Sequence, residues 1–80
     1  MSSKSELNLL GVLSPLCLLK CKSFLEEMKS GNFLEVLVQD PEVVEDLVKI
    51  IERSKDQIVK IETEDEYFRV QIEKGKEIEY

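Results

Sequence analysis

Histidine is absent from this 80-residue sequence, and cysteine occurs only twice. The lack of histidine removes the usual general base, the usual switch near neutral pH and the commonest metal ligand in proteins. Two cysteines without another soft ligand make a poor zinc site. We therefore expect neither a bound metal nor a cofactor.

The two cysteines, Cys17 and Cys21, lie four residues apart on one predicted helix. A disulfide between them would distort that helix, because side chains on successive turns have poorly matched directions. Two free thiols suit a reducing compartment, so we predict a cytoplasmic protein. The leucine-rich stretch Leu7–Leu19 is too short to span a bilayer, and no membrane association is expected.

Basic residues are outnumbered, with 11 against 17 acidic residues and a net charge of −6. Such a balance repels phosphate backbones and argues against direct nucleic-acid binding. The length fits one domain over residues 1–80, with residues 1–5 frayed and residues 76–80 forming a tail. Any chemistry must come from one or two side chains or from a partner protein.

Hydrophobic periodicity predicts four strands and two helices in the order β-α-β-α-β-β. Alternating or apolar runs predict strands over Glu6–Leu10, Phe33–Gln39, Gln57–Thr63 and Tyr67–Lys74. Helical spacing predicts helices over Pro15–Lys29 and Pro41–Arg53. In the first helix the residues expected to face inward are Leu18, Cys21, Leu25 and Met28.

Turn and cap residues mark the boundaries of these elements. Gly11 allows a tight turn after the first strand, and Ser14 is predicted to cap a helix that starts at Pro15. Gly31 is predicted to occupy the left-handed position that ends this helix. Asp40 and Pro41 repeat the cap-and-proline pattern before the second helix.

These elements predict a two-layer α/β sandwich with a four-stranded mixed sheet. Right-handed strand–helix–strand connections place both helices on one face of that sheet. The last two strands are joined by the acidic turn Glu64–Glu66 and form an antiparallel hairpin. On the face without helices, Phe33, Leu37 and Tyr67 are candidates for an apolar patch that a partner or a second copy could cover.

The segment Gly11–Leu19 resembles the Gly-Leu-x-Cys-Pro-x-Pro-x-Leu signature of the TusA/SirA-like sulfur-carrier family. The helix end with its glycine at 25–31 and the strand followed by Asp-Pro at 34–41 are also similar to the family. The resemblance covers Leu7–Gly75. It implies a small cytosolic carrier whose cysteine receives a persulfide from a cysteine desulfurase or another donor and passes the sulfur to a downstream protein.

The departures from the family pattern are concentrated at the sulfur-carrying position. Ser14 stands in place of the family's cysteine, and Cys17 stands in place of its second proline. Leu10 replaces an arginine that is common before the glycine, and Ser54–Lys55 replaces a common Gly-His. Several changes of this kind favour natural divergence over a single engineered substitution at Ser14.

Ser14 is interpreted as an inert cap, because an alkoxide is inaccessible at neutral pH without an adjacent base. Cys17 is the candidate for a displaced sulfur acceptor, since the positive end of the helix would favour its thiolate. The other interpretation of Cys17 is a small apolar residue that fills the gap left by the proline. Cys21 aligns with the inward stripe and is interpreted as a core residue.

Two functions therefore remain open. In the first, the protein is a divergent sulfur-relay protein that accepts or hands on persulfide sulfur through Cys17. In the second, it is a protein-binding or regulatory module that keeps the scaffold and has lost the persulfide cysteine. A self-contained enzyme is not favoured. Expected partners are proteins of a sulfur relay, and the sequence does not decide between a monomer and a weak dimer.

Overall fold

The computed structural model describes residues 4–75 and contains the six expected elements in the expected order. Residues 76–80, the predicted tail, lie outside the described part. Lys4 and Ser5 were expected to be frayed, and this is wrong, because both belong to the first strand. The elements are β1 (Lys4–Asn8), α1 (Leu16–Glu27), β2 (Phe33–Val38), α2 (Pro41–Glu52), β3 (Gln57–Thr63) and β4 (Phe68–Glu73).

The four strands form one mixed sheet in the order β1-β2-β4-β3. β1 runs parallel to β2, while β4 is antiparallel to both β2 and β3. Alternate residues of the central strands β2 and β4 join the buried residues of both helices in a single hydrophobic core. The two helices therefore cover the same face of the sheet, which confirms the predicted two-layer architecture. The sheet side of this core includes Leu34, Val36, Val38, Val70 and Ile72.

β3 lies at an edge of the sheet and contains a bulge. Ile58 is paired with Ile72 and Lys60 with Gln71, so Val59 is an extra residue between two consecutive pairs. A bulge of this kind interrupts the hydrogen-bond ladder and increases the local twist of the strand.

The buried face of α1 differs slightly from the prediction. Cys17, Cys21 and Leu25 are its buried residues, whereas Leu18 and Met28 are only half-buried. The three buried positions are spaced four residues apart, which keeps them on one side of the helix. Cys17 takes the inward place that was predicted for Leu18.

Two glycines have positive φ angles, and both serve turns. Gly11 (φ 81°) lies in the turn closed by the hydrogen bond from the Val12 amide to the Leu9 carbonyl. Gly31 (φ 85°) lies in the turn closed by the Asn32 amide and the Lys29 carbonyl. In each turn glycine is third of four residues, where a type II turn needs a positive φ.

The prediction that Gly31 ends α1 in the left-handed position is wrong in detail. The helix ends at Glu27, and the capping residue Met28 has extended backbone angles. The Gly31 amide donates to the Lys74 carbonyl at 2.9 Å, so this glycine shapes the entry into β2. At the start of α2 the prediction is confirmed, since an Asp40 carboxylate oxygen accepts from the Glu42 amide at 2.8 Å and Pro41 is the first helical residue.

The sheet face without helices is more polar than predicted. Leu37 is buried, and Phe33 and Tyr67 are half-buried, so these three residues do not form the exposed apolar patch that we expected. Glu35 is buried at the centre of this face. Its carboxylate pairs with Lys4 Nζ at 2.5 Å and with Arg69 Nε at 2.7 Å.

These contacts hold the pKa of Glu35 below its ordinary value. The hydrogen bond from Lys4 is the largest cause, and the positive charges of Lys4 and Arg69 act in the same direction, while burial opposes them. The carboxylate is thus favoured in the folded protein, and Glu35 links β1 to β4 across β2.

Replacing Glu35 by glutamine is expected to lower the free energy of unfolding by about 2 kcal/mol at neutral pH, since charged hydrogen bonds are lost. A lowered pKa gives stabilisation that is complete above the unfolded-state pKa and is lost as the pH falls through the folded-state pKa. The stability difference between wild type and Glu35→Gln should therefore shrink on acidification. Urea unfolding at stepped pH values measures this difference, and Glu45→Gln on the exposed side of α2 is the control. A difference independent of pH would contradict the assignment.

Candidate functional site

Ser14 lies in the exposed loop between β1 and α1, with Pro15 after it. The Ser14–Pro15 peptide bond is cis. The prediction that Ser14 caps α1 is wrong, because the helix starts at Leu16, Pro15 takes the cap position and no side chain of residues 4–75 caps the helix. The Cys17 amide instead donates to the Leu13 carbonyl at 3.2 Å, so the first turn is satisfied by backbone.

Both thiols lie on the inner side of the helix that follows. Cys17 is 2% exposed and Cys21 is 1% exposed, and both are free cysteines. Burial is the main cause that raises the pKa of the Cys21 thiol to about 12, and Cys17 and Asp56 add to it. A thiol held in its neutral form is a poor nucleophile, because the thiolate is the reactive species.

Three exposed leucines flank Ser14 in the sequence, and they were not predicted as part of the site. Leu13 is 81% exposed, Leu16 is 51% exposed and Leu19 is 61% exposed. Leu16 and Leu19 are one helical turn apart on α1, while Leu13 precedes Ser14 in the loop. We call Leu13, Leu16 and Leu19 the leucine surface. Its signal in the sequence was a pair of leucines three residues apart, outside the stripe that contains the cysteines.

The chemistry available at this surface is limited. The Ser14 hydroxyl is exposed, and no histidine exists in the chain to take its proton. The loop and the start of α1 present a small polar residue close in the sequence to three exposed apolar side chains. Exposed apolar surface rimmed by polar residues is typical of protein-binding sites.

Residues 4–75 contain no candidate metal site. Within that range no group of three or more cysteine, aspartate or glutamate side chains is placed to hold a metal ion. In the acidic turn, Glu64 pairs with Arg69 at 3.5 Å and Asp65 and Glu66 are exposed. Over the same residues, neither helix combines the length and the apolar character needed to cross a membrane.

Comparisons with known proteins point to one family. The family model described as sulfurtransferase TusA matches residues 5–74. Among solved structures, the crystal structure of a SirA-like protein from Desulfitobacterium hafniense superimposes with a TM-score of 0.76. The two sequences are 25% identical over 90% of this chain and 99% of that protein. No curated protein matches the chain significantly.

Proposed function

This chain belongs to the TusA sulfurtransferase family, and from that premise we propose that it acts in a sulfur relay as a docking module and does not itself carry the persulfide. The scaffold brings the loop 13–15 and the start of α1 to the surface, where the resemblance places the family's reactive cysteine. That position holds Ser14. A partner that binds the loop 13–15 and the start of α1 would therefore find no acceptor thiol there.

The observation that carries this proposal is the contrast in exposure between Ser14 and the two cysteines. Sulfur transfer between proteins requires a thiolate that a donor can reach. Cys17 and Cys21 are almost fully buried, while Ser14 and the leucine surface are open to a partner. Two reduced, buried thiols also suit the cytoplasm, which we propose as the site of action.

Cys17 as a displaced acceptor is the second candidate. Its position in the first turn of α1, close in sequence to Ser14, supports it. Local opening of the helix start would be needed to expose the thiol, because Cys17 belongs to the hydrophobic core. Such opening competes with the packing of Cys17 against that core, so we rank this candidate below the docking module.

Intact-mass measurement after incubation with a cysteine desulfurase and cysteine separates the two candidates. For the wild-type chain we expect no adduct of about 32 Da, the mass of one sulfur atom, and we expect Cys17→Ser to behave identically. The positive control is a family member that retains the Cys-Pro-x-Pro cysteine. An adduct on the wild type that disappears in Cys17→Ser would contradict the proposal and establish Cys17 as the acceptor.

A further inference from the structure

A cavity of about 290 Å³ lies between the two helices. Neither Ser14 nor any residue of the leucine surface lines it. Its size lies just below the range for small-molecule sites, which is about 300–1,000 Å³. The apolar residues that line it are Leu18, Leu25, Leu47, Ile50 and Ile51.

Three lysines, Lys22, Lys55 and Lys74, line the same cavity. None of them forms an ion pair with another residue of the described range 4–75, whereas Lys4 and Lys60 both do. Basic residues thus outnumber acidic ones in this lining, whereas the chain as a whole has a net charge of −6. The cavity thus combines an apolar lining with three lysines that form no ion pair among residues 4–75.

The two acids that line the cavity leave this excess in place. Asp56 accepts the Gly75 amide at 2.8 Å, so one carboxylate oxygen is used by backbone. Glu26 is exposed on α1 and pairs with none of the lysines. Among the described residues that line the cavity, three lysines against these two acids leave an excess of one positive charge.

Lys55 and Gly75 line one side of the cavity, and their backbones lie in close contact. A Cβ atom at Gly75 would lie 1.9 Å from the Lys55 carbonyl oxygen, so only glycine allows this approach. On the same side, Ser54 Oγ donates to the Ile51 carbonyl at 2.8 Å and accepts from the Asp56 amide at 3.0 Å. The end of β4 is in this way fixed to the loop after α2, which gives the cavity a defined shape.

We propose that this cavity binds an aliphatic carboxylate, with the hydrocarbon chain against the leucines and isoleucines and the carboxylate among Lys22, Lys55 and Lys74. Burial of the chain supplies the main driving force, because it removes apolar surface from water. The lysines select a negative head group over a neutral or positive one. The small volume favours a single short chain over a membrane lipid.

The test is a titration of the full chain with octanoate, followed by amide chemical shifts in NMR. We expect saturable shifts confined to the residues around the cavity. Propionate has the head group without the chain, and octylammonium has the chain with the opposite charge. Both should bind at least about tenfold more weakly than octanoate, since each lacks one of the two interactions. Equal binding of octanoate and octylammonium, or shifts outside the cavity, would overturn the proposal.

Substitutions at the lysines test the role of the positive charge. The double variant Lys55→Gln with Lys74→Gln should bind octanoate about tenfold more weakly, because two favourable charge interactions are lost. Lys29→Gln with Lys49→Gln removes the same charge at exposed positions that do not line the cavity, and this pair should bind like the wild type. Equal weakening in both variants would show a general charge effect and would overturn the assignment. The titration needs no relay partner, so its outcome is independent of the proposed docking function.

Discussion

Replacing Ser14 by cysteine is expected to convert a chain that takes up no sulfur into one that a cysteine desulfurase loads. The introduced thiol would be exposed and would lie just before α1, where the partial positive charge of the helix favours a thiolate. The thiolate attacks the outer sulfur of the donor persulfide and forms a new S–S bond. The donor's S–S bond breaks, and its cysteine leaves as a thiolate, so no external oxidant or reductant is needed.

The size of this effect follows from the thiolate population. If the helix lowers the thiol pKa from about 8.5 to about 7, the thiolate fraction at neutral pH rises about tenfold or more. Ser14→Cys should therefore show the adduct of about 32 Da and react with an alkylating reagent about tenfold faster than an ordinary exposed cysteine. Intact-mass and alkylation measurements on the same samples give both values.

The matched control is Ser30→Cys, which introduces an exposed thiol beyond the opposite end of α1. The helix dipole does not favour a thiolate there, so we expect slow alkylation and no loading. Equal loading of both variants would mean that the desulfurase loads any exposed thiol and that the loop around Ser14 does not favour sulfur transfer. Failure of Ser14→Cys to load would contradict the idea that the scaffold is intact and lacks only the nucleophile.

The second large effect is expected from a charge placed in the leucine surface. Leu16→Glu should weaken binding to a cysteine desulfurase by at least about tenfold, because an apolar contact is lost and a carboxylate must be desolvated. The fold should be unaffected. Leu16 is exposed, and a negative residue at the first position of a helix is favourable. Isothermal titration measures the affinity, and a thermal melt checks the stability.

Val59→Glu is the control for this experiment, because Val59 is 50% exposed and lies on β3, away from α1 in the sequence. It introduces the same charge and removes a comparable apolar side chain. We expect unchanged affinity for Val59→Glu. If both variants bind alike, the leucine surface is not the docking site.

The regular elements were predictable because their signals are local. Alternation in β4 and the apolar stripe of α2 gave the right element types, and Asp40 followed by Pro41 fixed the start of α2. Ser14 followed by Pro15 has the same pattern, yet the outcome differs. A backbone hydrogen bond from Cys17 to Leu13 closes the first turn of α1, and a cap motif in the sequence does not reveal such a competitor.

The candidate site was predicted in part: the sequence indicated its loop but not which side chains of α1 are buried. The sequence located the loop that contains Ser14, but it placed Leu18 on the inward side of α1, where the structure has Cys17. Both residues belong to one apolar run, so a rotation of the helix by about 100° gives a second pattern that fits nearly as well. The burial of Cys17 decides its chemistry. The pairing of Glu35 with Lys4 and Arg69 joins three strands, so no short segment of the chain contains its signal.

Both edge strands of the sheet have features that disfavour pairing with a strand of another molecule. The bulge at Val59 breaks the regular row of donors and acceptors along β3, and β1 is only five residues long with Lys4 and Glu6 exposed on it. Strands that are short, charged or irregular are poor templates for an incoming strand. Self-association through cross-molecule sheet extension is therefore disfavoured, and concentrated solutions of this acidic protein should resist fibril growth.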